Sequence, residues 1–160
     1  ELSGAVGIPI LHMVEETAAY LEDAGIHKAG ILATDGTVRT RLFQDALSRR
    51  GIAFEVPDDA GQRNVMELIY GQIKAGRPAD PVLFQKTAQP LLENGCECVL
   101  LGCTELSLLK RDHVLGGGIL AGLGILDTLE VLAAAALREC GAPRKAAFAD
   151  LLAPRPPRRV

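Results

Sequence analysis

Val99-Leu-Leu-Gly-Cys-Thr-Glu-Leu106 is the stretch on which the fold turns. Three branched apolar residues form a run too greasy for a surface element. Such continuous runs mark a strand buried on both faces, as in a parallel sheet covered by helices. Gly102 closes the run. Cys103, Thr104 and Glu105 follow, and the residues from Thr104 to Lys110 have helical composition. The expected unit is a buried strand that delivers a thiol to its carboxyl end, where a helix begins.

Outward from this unit, the same alternation recurs. Lys28 to Ala33 reads as a second buried strand, and Thr34-Asp35-Gly36-Thr37 as a tight loop. A helix is expected over Val38 to Arg50, with Thr37 as its N-cap, because a threonine hydroxyl can accept from a free N–H of the first turn. Ile52 to Val56 reads as a strand, Gln62 to Ala75 as a helix, and Val82 to Glu93 as another, with Pro90 expected to kink it. Upstream, Val6 to Leu11 reads as a short strand and Val14 to Ala24 as an amphipathic helix. Downstream, Gly116-Gly117-Gly118 reads as a joint and Ile119 to Leu126 as a last strand. Asp127 is expected to cap a helix over Thr128 to Cys140.

Strands alternating with helices predict an α/β fold: a three-layer lobe with a mostly parallel sheet flanked by helices. In such sheets ligands bind beyond the carboxyl ends of strands. Residues 1–113 are expected to form the main lobe, 114–141 a final strand and helix, and 142–160 a flexible Pro- and Arg-rich tail. Glu1 to Gly7 reads as a linker, and a chain starting at Glu1 is expected to be a piece of a longer or processed protein.

Composition narrows the function classes. The net charge of -3 and the scattered basic residues argue against a nucleic-acid partner. No apolar run approaches the ~18 residues of a membrane span. Four cysteines, Cys96, Cys98, Cys103 and Cys140, do not form a disulfide framework. They fit a cytoplasmic protein with reduced thiols. The series Cys96, Cys98, Cys103, His113 lacks the paired knuckles of a structural zinc site, so no metal is expected. His12, His27 and His113 are each better read as surface or structural residues than as partners in a Cys-His hydrolase.

Cys103 has two readings. A cysteine is often a small core hydrophobe. A thiol at a strand end and helix mouth, however, lies among free N–H groups and the helix dipole, which would lower its pKa and make it a base or nucleophile. Glu105 could orient an amine or a thiol, or serve only as a first-turn helix acid. The Thr34 to Thr37 loop could bind a carboxylate or phosphate, or be a plain capped turn. Lys74 reads most simply as a charge near a helix C-terminus.

Four segments together resemble the aspartate/glutamate racemase family: GIPILHMVEET (Gly7 to Thr17), GILATDGTVRTRLFQDAL (Gly30 to Leu47), VLLGCTELSLL (Val99 to Leu109) and ILDTLEVLA (Ile125 to Ala133). The resemblance runs roughly from Gly7 to Cys140. It implies one lobe of a two-lobed enzyme that needs no cofactor and inverts amino acids with two facing cysteines. Cys103 would be the acid/base of the second half. Thr104 would donate to the substrate carboxylate, Glu105 would position the amine or the thiol, and Thr34 and Thr37 would line the carboxylate site. Lys74, in IYGQIKAG, would approach a side-chain carboxylate. Glu105 in place of histidine points to aspartate-like substrates, a small dicarboxylic amino acid or related carboxylate. The family's first half, with a Cys-Asn-Thr motif before the IPI strand, has no counterpart here. The chain alone is therefore expected to be inactive, and its final helix, left without that lobe, to favour a homodimer. Alternatives within the superfamily are a maleate isomerase, a hydantoin racemase and an arylmalonate decarboxylase; outside it, a non-catalytic binding domain.

Overall fold

The computed structural model describes residues 7–154. Four strands form one parallel sheet in the order β2-β1-β3-β4: β1 (Lys28–Leu32), β2 (Ala53–Glu55), β3 (Cys98–Leu101) and β4 (Gly124–Asp127). The register sets Leu32 beside Leu101, and Leu101 beside Asp127. The loops that follow β1, β3 and β4 therefore leave the sheet at one level.

The strand alternation explains the layers. Successive side chains point to opposite faces. Ala29, Ile31, Cys98, Leu100 and Leu126 pack on one side, against α1 (Met13–Asp23), α3 (Leu42–Arg49) and α7 (Thr128–Glu139). Leu32, Val99, Leu101 and Ile125 pack on the other, against α4 (Asp59–Met66), α5 (Pro81–Glu93) and α6 (Thr104–Asp112). All four β3 residues are buried, as the VLL run requires. Each such leucine contributes about 1.5–3 kcal/mol of apolar burial.

Several elements differ from expectation. Residues 7–12 are not a strand, and Ile8 is 70% exposed; Pro9 lacks an N–H, and no described strand runs beside the segment. The expected helix over Val38 to Arg50 is two helices, α2 (Asp35–Arg39) and α3, broken where Arg41 takes a left-handed φ of 58°. Thr34, not Thr37, caps α2, because the hydroxyl one step before the first turn is the one that reaches the Thr37 N–H. The helix expected from Gln62 begins at Asp59, since Asp58 accepts from Gly61 N at 2.7 Å. It then widens into a π-helical segment over Glu67–Ile73. α5 runs through Pro90 to Glu93. Pro90 is exposed and has no N–H to give the Lys86 carbonyl, yet the helix continues past it. The last strand is shorter than expected, a 3₁₀ turn occupying Gly118–Leu120.

α7 rests on α1 of the same lobe: Val131 and Ala135 are buried, and Arg138 pairs with Glu16 at 3.0 Å. Within residues 142–154, expected to leave as a flexible tail, Phe148, Leu151 and Leu152 pack against the domain. Leu151 is 1% exposed, its N–H donates to the Tyr20 hydroxyl at 2.9 Å, and Leu152 O accepts from Ile125 N at 3.2 Å. Apolar burial and two main-chain bonds outweigh the freedom of the chain there. The linker over residues 1–6 and the end of the tail over 155–160 lie outside the described residues. Among the described residues, no helix is long and apolar enough to cross a membrane.

Candidate active site

β3 ends at Leu101, Gly102 turns the chain, and Cys103 stands as the N-cap residue of α6. Gly102 is required by packing: a Cβ there would lie 2.9 Å from the Phe43 ring and 3.1 Å from Ala33 Cβ. Its N–H donates to Leu32 O at 2.9 Å, tying the turn to the end of β1.

The Cys103 side chain makes no capping bond to α6. Instead Sγ donates to Glu105 Oε2 at 2.7 Å, and Thr104 Oγ1 donates to the same oxygen at 3.1 Å. Lys74 Nζ lies 3.6 Å from the other carboxylate oxygen, Oε1. The ammonium also sits over the Tyr70 ring, 4.4 Å from its centroid. Thiol, carboxylate and ammonium thus form one row. α6 supplies Glu105, and the end of the π-helical segment supplies Lys74.

This row reverses one expectation. The Cys103 pKa is not lowered but pushed up to about 11, first by burial and then by its hydrogen bond to Glu105; Lys74 opposes the shift. The thiol meets a carboxylate before it meets the positive end of the helix, and at 2.7 Å the nearer charge prevails. Glu105 is held below the usual carboxylate range, chiefly by the Cys103 hydrogen bond. For Lys74, partial burial works against the charged form, but the Glu105 carboxylate and Tyr70 raise its pKa overall.

The residues expected as a loop over Thr34 to Thr37 are instead the cap and first turn of α2, and they follow β1 beside this turn. Thr34 Oγ1 accepts from Thr37 N at 3.4 Å, and the two hydroxyls lie 3.1 Å apart. The start of α2 is steadied by a residue that no sequence motif singled out. Gln62 Nε2 donates to Ala33 O at 3.0 Å and to Asp35 Oδ1 at 2.7 Å, while its buried Oε1 has no partner. Gln62 lies on α4, 29 residues along the chain from Ala33, so no local pattern could have exposed it. A groove lined by Asp35, Gln62, Arg63, Glu67 and Tyr70 runs alongside.

The structure therefore gathers Cys103, Thr104, Glu105 and Lys74 into direct contact. It places Thr34 and Thr37 at the start of the adjoining helix α2, bonded to each other. Cys96 and Cys98 are buried, and burial pushes Cys98 up to about 12. Cys98 packs on the sheet face opposite that of Cys103. His113 ends α6 at the far end from Cys103, and His27 N binds Glu97 at the amino end of the sheet. Among the described residues no group of three or more His, Cys, Asp or Glu is placed to hold a metal.

The fold and the site define a parallel α/β lobe that carries a thiol, hydrogen-bonded to a carboxylate, at the carboxyl edge of an inner strand. The chain belongs to the Asp/Glu/Hydantoin racemase family, whose model matches residues 1–136. It is 34% identical over 105 residues to an uncharacterised protein encoded in the pnlA 3′ region of Pectobacterium carotovorum, covering 66% of this chain and 70% of that protein. It is 34% identical over 80 residues to the glutamate racemase of Methylococcus capsulatus, covering 50% of this chain and 29% of the relative. Among solved structures, a putative Asp/Glu racemase from Yersinia pestis superposes with a TM-score of 0.73 at 27% identity, over 86% of this chain and 59% of that one. The aspartate racemase of Picrophilus torridus gives 0.65 at 26% identity, over 86% and 55%. The chain thus spans little more than half the length of these solved relatives.

Proposed function

We propose that this chain is a cysteine-bearing lobe of an amino-acid racemase that works without a cofactor on aspartate-like dicarboxylates. The observation that carries this reading is the row Cys103–Glu105–Lys74 at the carboxyl edge of the sheet. Family membership and the racemase names of several relatives support it.

In this reading Cys103 begins a turnover as the acid. Glu105 and partial burial keep its proton on sulfur near neutral pH. A base on the far side of the substrate, from outside residues 7–154, takes the α-proton. Charge gathers on the substrate carboxylate, where the Thr104 hydroxyl can donate in place of its bond to Glu105. The Cys103 S–H bond then breaks and its proton goes to the opposite face of the α-carbon, which inverts it. In the reverse direction the Cys103 thiolate takes the proton back. Lys74, half-exposed and only loosely paired, would bind a side-chain carboxylate, and Thr34 and Thr37 at the start of α2 would hold the other. All four cysteines are unpaired, which fits a reducing compartment such as the cytoplasm.

The test is exchange of the α-proton of L- and D-aspartate for solvent deuterium, followed by NMR. The protein that contains this chain should exchange the proton with inversion, and Cys103→Ala should slow it by roughly 10²–10⁴-fold. An alanine variant that folds and exchanges at the parent rate would refute the assignment. If exchange fails with aspartate and glutamate but a substituted malonate loses CO₂, the decarboxylase reading replaces it.

A further inference from the structure

The Gly102–Cys103 turn raises a question of precision. Cysteine is a poor N-cap, and the Cys103 side chain makes no capping bond to α6; its hydrogen bond goes to the Glu105 side chain. No side-chain cap therefore fixes where this helix starts. Yet the 2.7 Å contact between Sγ and Glu105 tolerates little movement, since a displacement of about half an ångström is enough to spoil such a site.

The bonds that hold the turn come from the next strand–helix junction. Asp127 ends β4 directly beside Leu101 in the sheet register, and Thr128 opens α7. Thr128 Oγ1 donates to Leu101 O at 3.0 Å, two residues before the thiol. Asp127 Oδ1 accepts from Ser107 Oγ at 2.8 Å, four residues after it. The same oxygen accepts from Leu129 N at 2.9 Å, which caps α7 and fixes the carboxylate in place. Asp127 and Thr128 are 3% and 2% exposed, so water competes weakly for either bond. Neither residue reaches the reacting atoms.

We propose that Asp127 and Thr128 are positioning residues for Cys103, gripping the turn on both sides and acting through Leu101 and Ser107. The consequence rests on the reading of Cys103 as the acid/base group, but the geometry and its test do not require turnover. Loosening either grip lets α6 shift its first turn. Water then reaches the thiol and Glu105 draws away from it. Both changes favour the thiolate.

The experiment is the rate of iodoacetamide alkylation of Cys103 against pH, resolved by peptide mass spectrometry so that exposed Cys140 does not interfere. Parent, Thr128→Val, Thr128→Ser and Ser107→Ala are compared, each with its melting temperature. Thr128→Val and Ser107→Ala should speed alkylation of Cys103 at pH 8 by about threefold or more and move its midpoint down. Thr128→Ser, which keeps the hydroxyl, should restore the parent profile. A purely structural role would lower the melting temperature and leave the Cys103 profile where it was, and that result would overturn the proposal. Ser107 is only partly buried, so Ser107→Ala keeps the test decisive if Thr128→Val does not fold. Failure of the racemase reading would appear in deuterium exchange with these alkylation profiles intact.

Discussion

Each end of the sheet carries a lysine paired with a glutamate, and the two pairs are built differently. At the amino end Lys28 Nζ lies 2.8 Å from Glu55 and donates to Asn94 O at 2.7 Å. Asn94 in turn donates to Glu55, and Glu97 accepts from the main-chain N–H groups of His27 and Lys28. Every charged group there has two or more partners, and the network joins β1, β2 and the entry to β3. At the carboxyl end Lys74 has one carboxylate at 3.6 Å and the face of Tyr70. Glu105 there receives a thiol and a hydroxyl, both weaker donors than an ammonium at hydrogen-bond distance. The closed network stabilises the fold. The open one leaves an ammonium able to exchange its partner for an incoming anion, and a thiol whose proton is held but reachable.

Substitutions at both ends can break or sharpen this contrast. The largest effect belongs to Glu105→Gln. Removing the carboxylate charge removes one of the causes that, together with burial, raise Cys103 from its usual 9.0 to about 11. The midpoint of alkylation should therefore fall, and because a lower pKa means more thiolate at a fixed pH below it, Cys103 should react roughly tenfold faster at pH 8. Glu97→Gln at the other end should leave that profile unchanged.

Lys74→Gln comes next. It should weaken binding of aspartate about tenfold, read as KM for exchange, while the melting temperature moves little. Lys28→Gln should do the opposite, lowering the melting temperature and leaving KM alone. If the two lysines behave alike, the distinction between a structural and a working end fails.

Gly102→Ala probes the same end through packing. Its Cβ would press on Phe43 and Ala33, so a cost of about 1–3 kcal/mol is expected, with a changed Cys103 alkylation rate. Gly117→Ala, which meets nothing within 4 Å, should be near neutral by both measures.

Removal of residues 142–160 gives the smallest expected change at the site. It exposes the buried surface under Leu151 and takes Leu151 O from Lys110 Nζ, a 3.0 Å bond. Thermal stability should drop while the Cys103 profile holds, because neither Leu151 nor Lys110 touches the Gly102–Cys103 turn.

The strands of the inner sheet were readable because their burial on both faces leaves a run of branched apolar residues, as in Val99 to Leu101. Helix ends announced by a capping residue were readable for the same local reason: Asp127 does cap α7. The break at Arg41 was not, since a left-handed arginine carries no sequence mark and the LFQDAL pattern continues in helical phase beyond it. The π-helical widening before Lys74 was also hidden, because one extra residue in a turn changes the facing of a side chain without changing composition.

For the site, the sequence by itself determined which groups meet within one segment. Cys103, Thr104 and Glu105 are neighbours along the chain, so a strand end followed by a helix start brings them together. Sequence could not determine the state of the thiol. Proximity to a helix N-terminus argued for a lowered pKa, whereas the folded arrangement turns Sγ toward Glu105 and partly buries it, which raises the pKa. Tertiary structure alone decided that Lys74 comes within 3.6 Å of Glu105, that Gln62 braces the start of α2, and that Asp127 and Thr128 straddle the cysteine turn. The physical reason is one of range. Propensity and capping act over a few residues, while electrostatics and hydrogen bonding at a site depend on distances fixed by strand order and register.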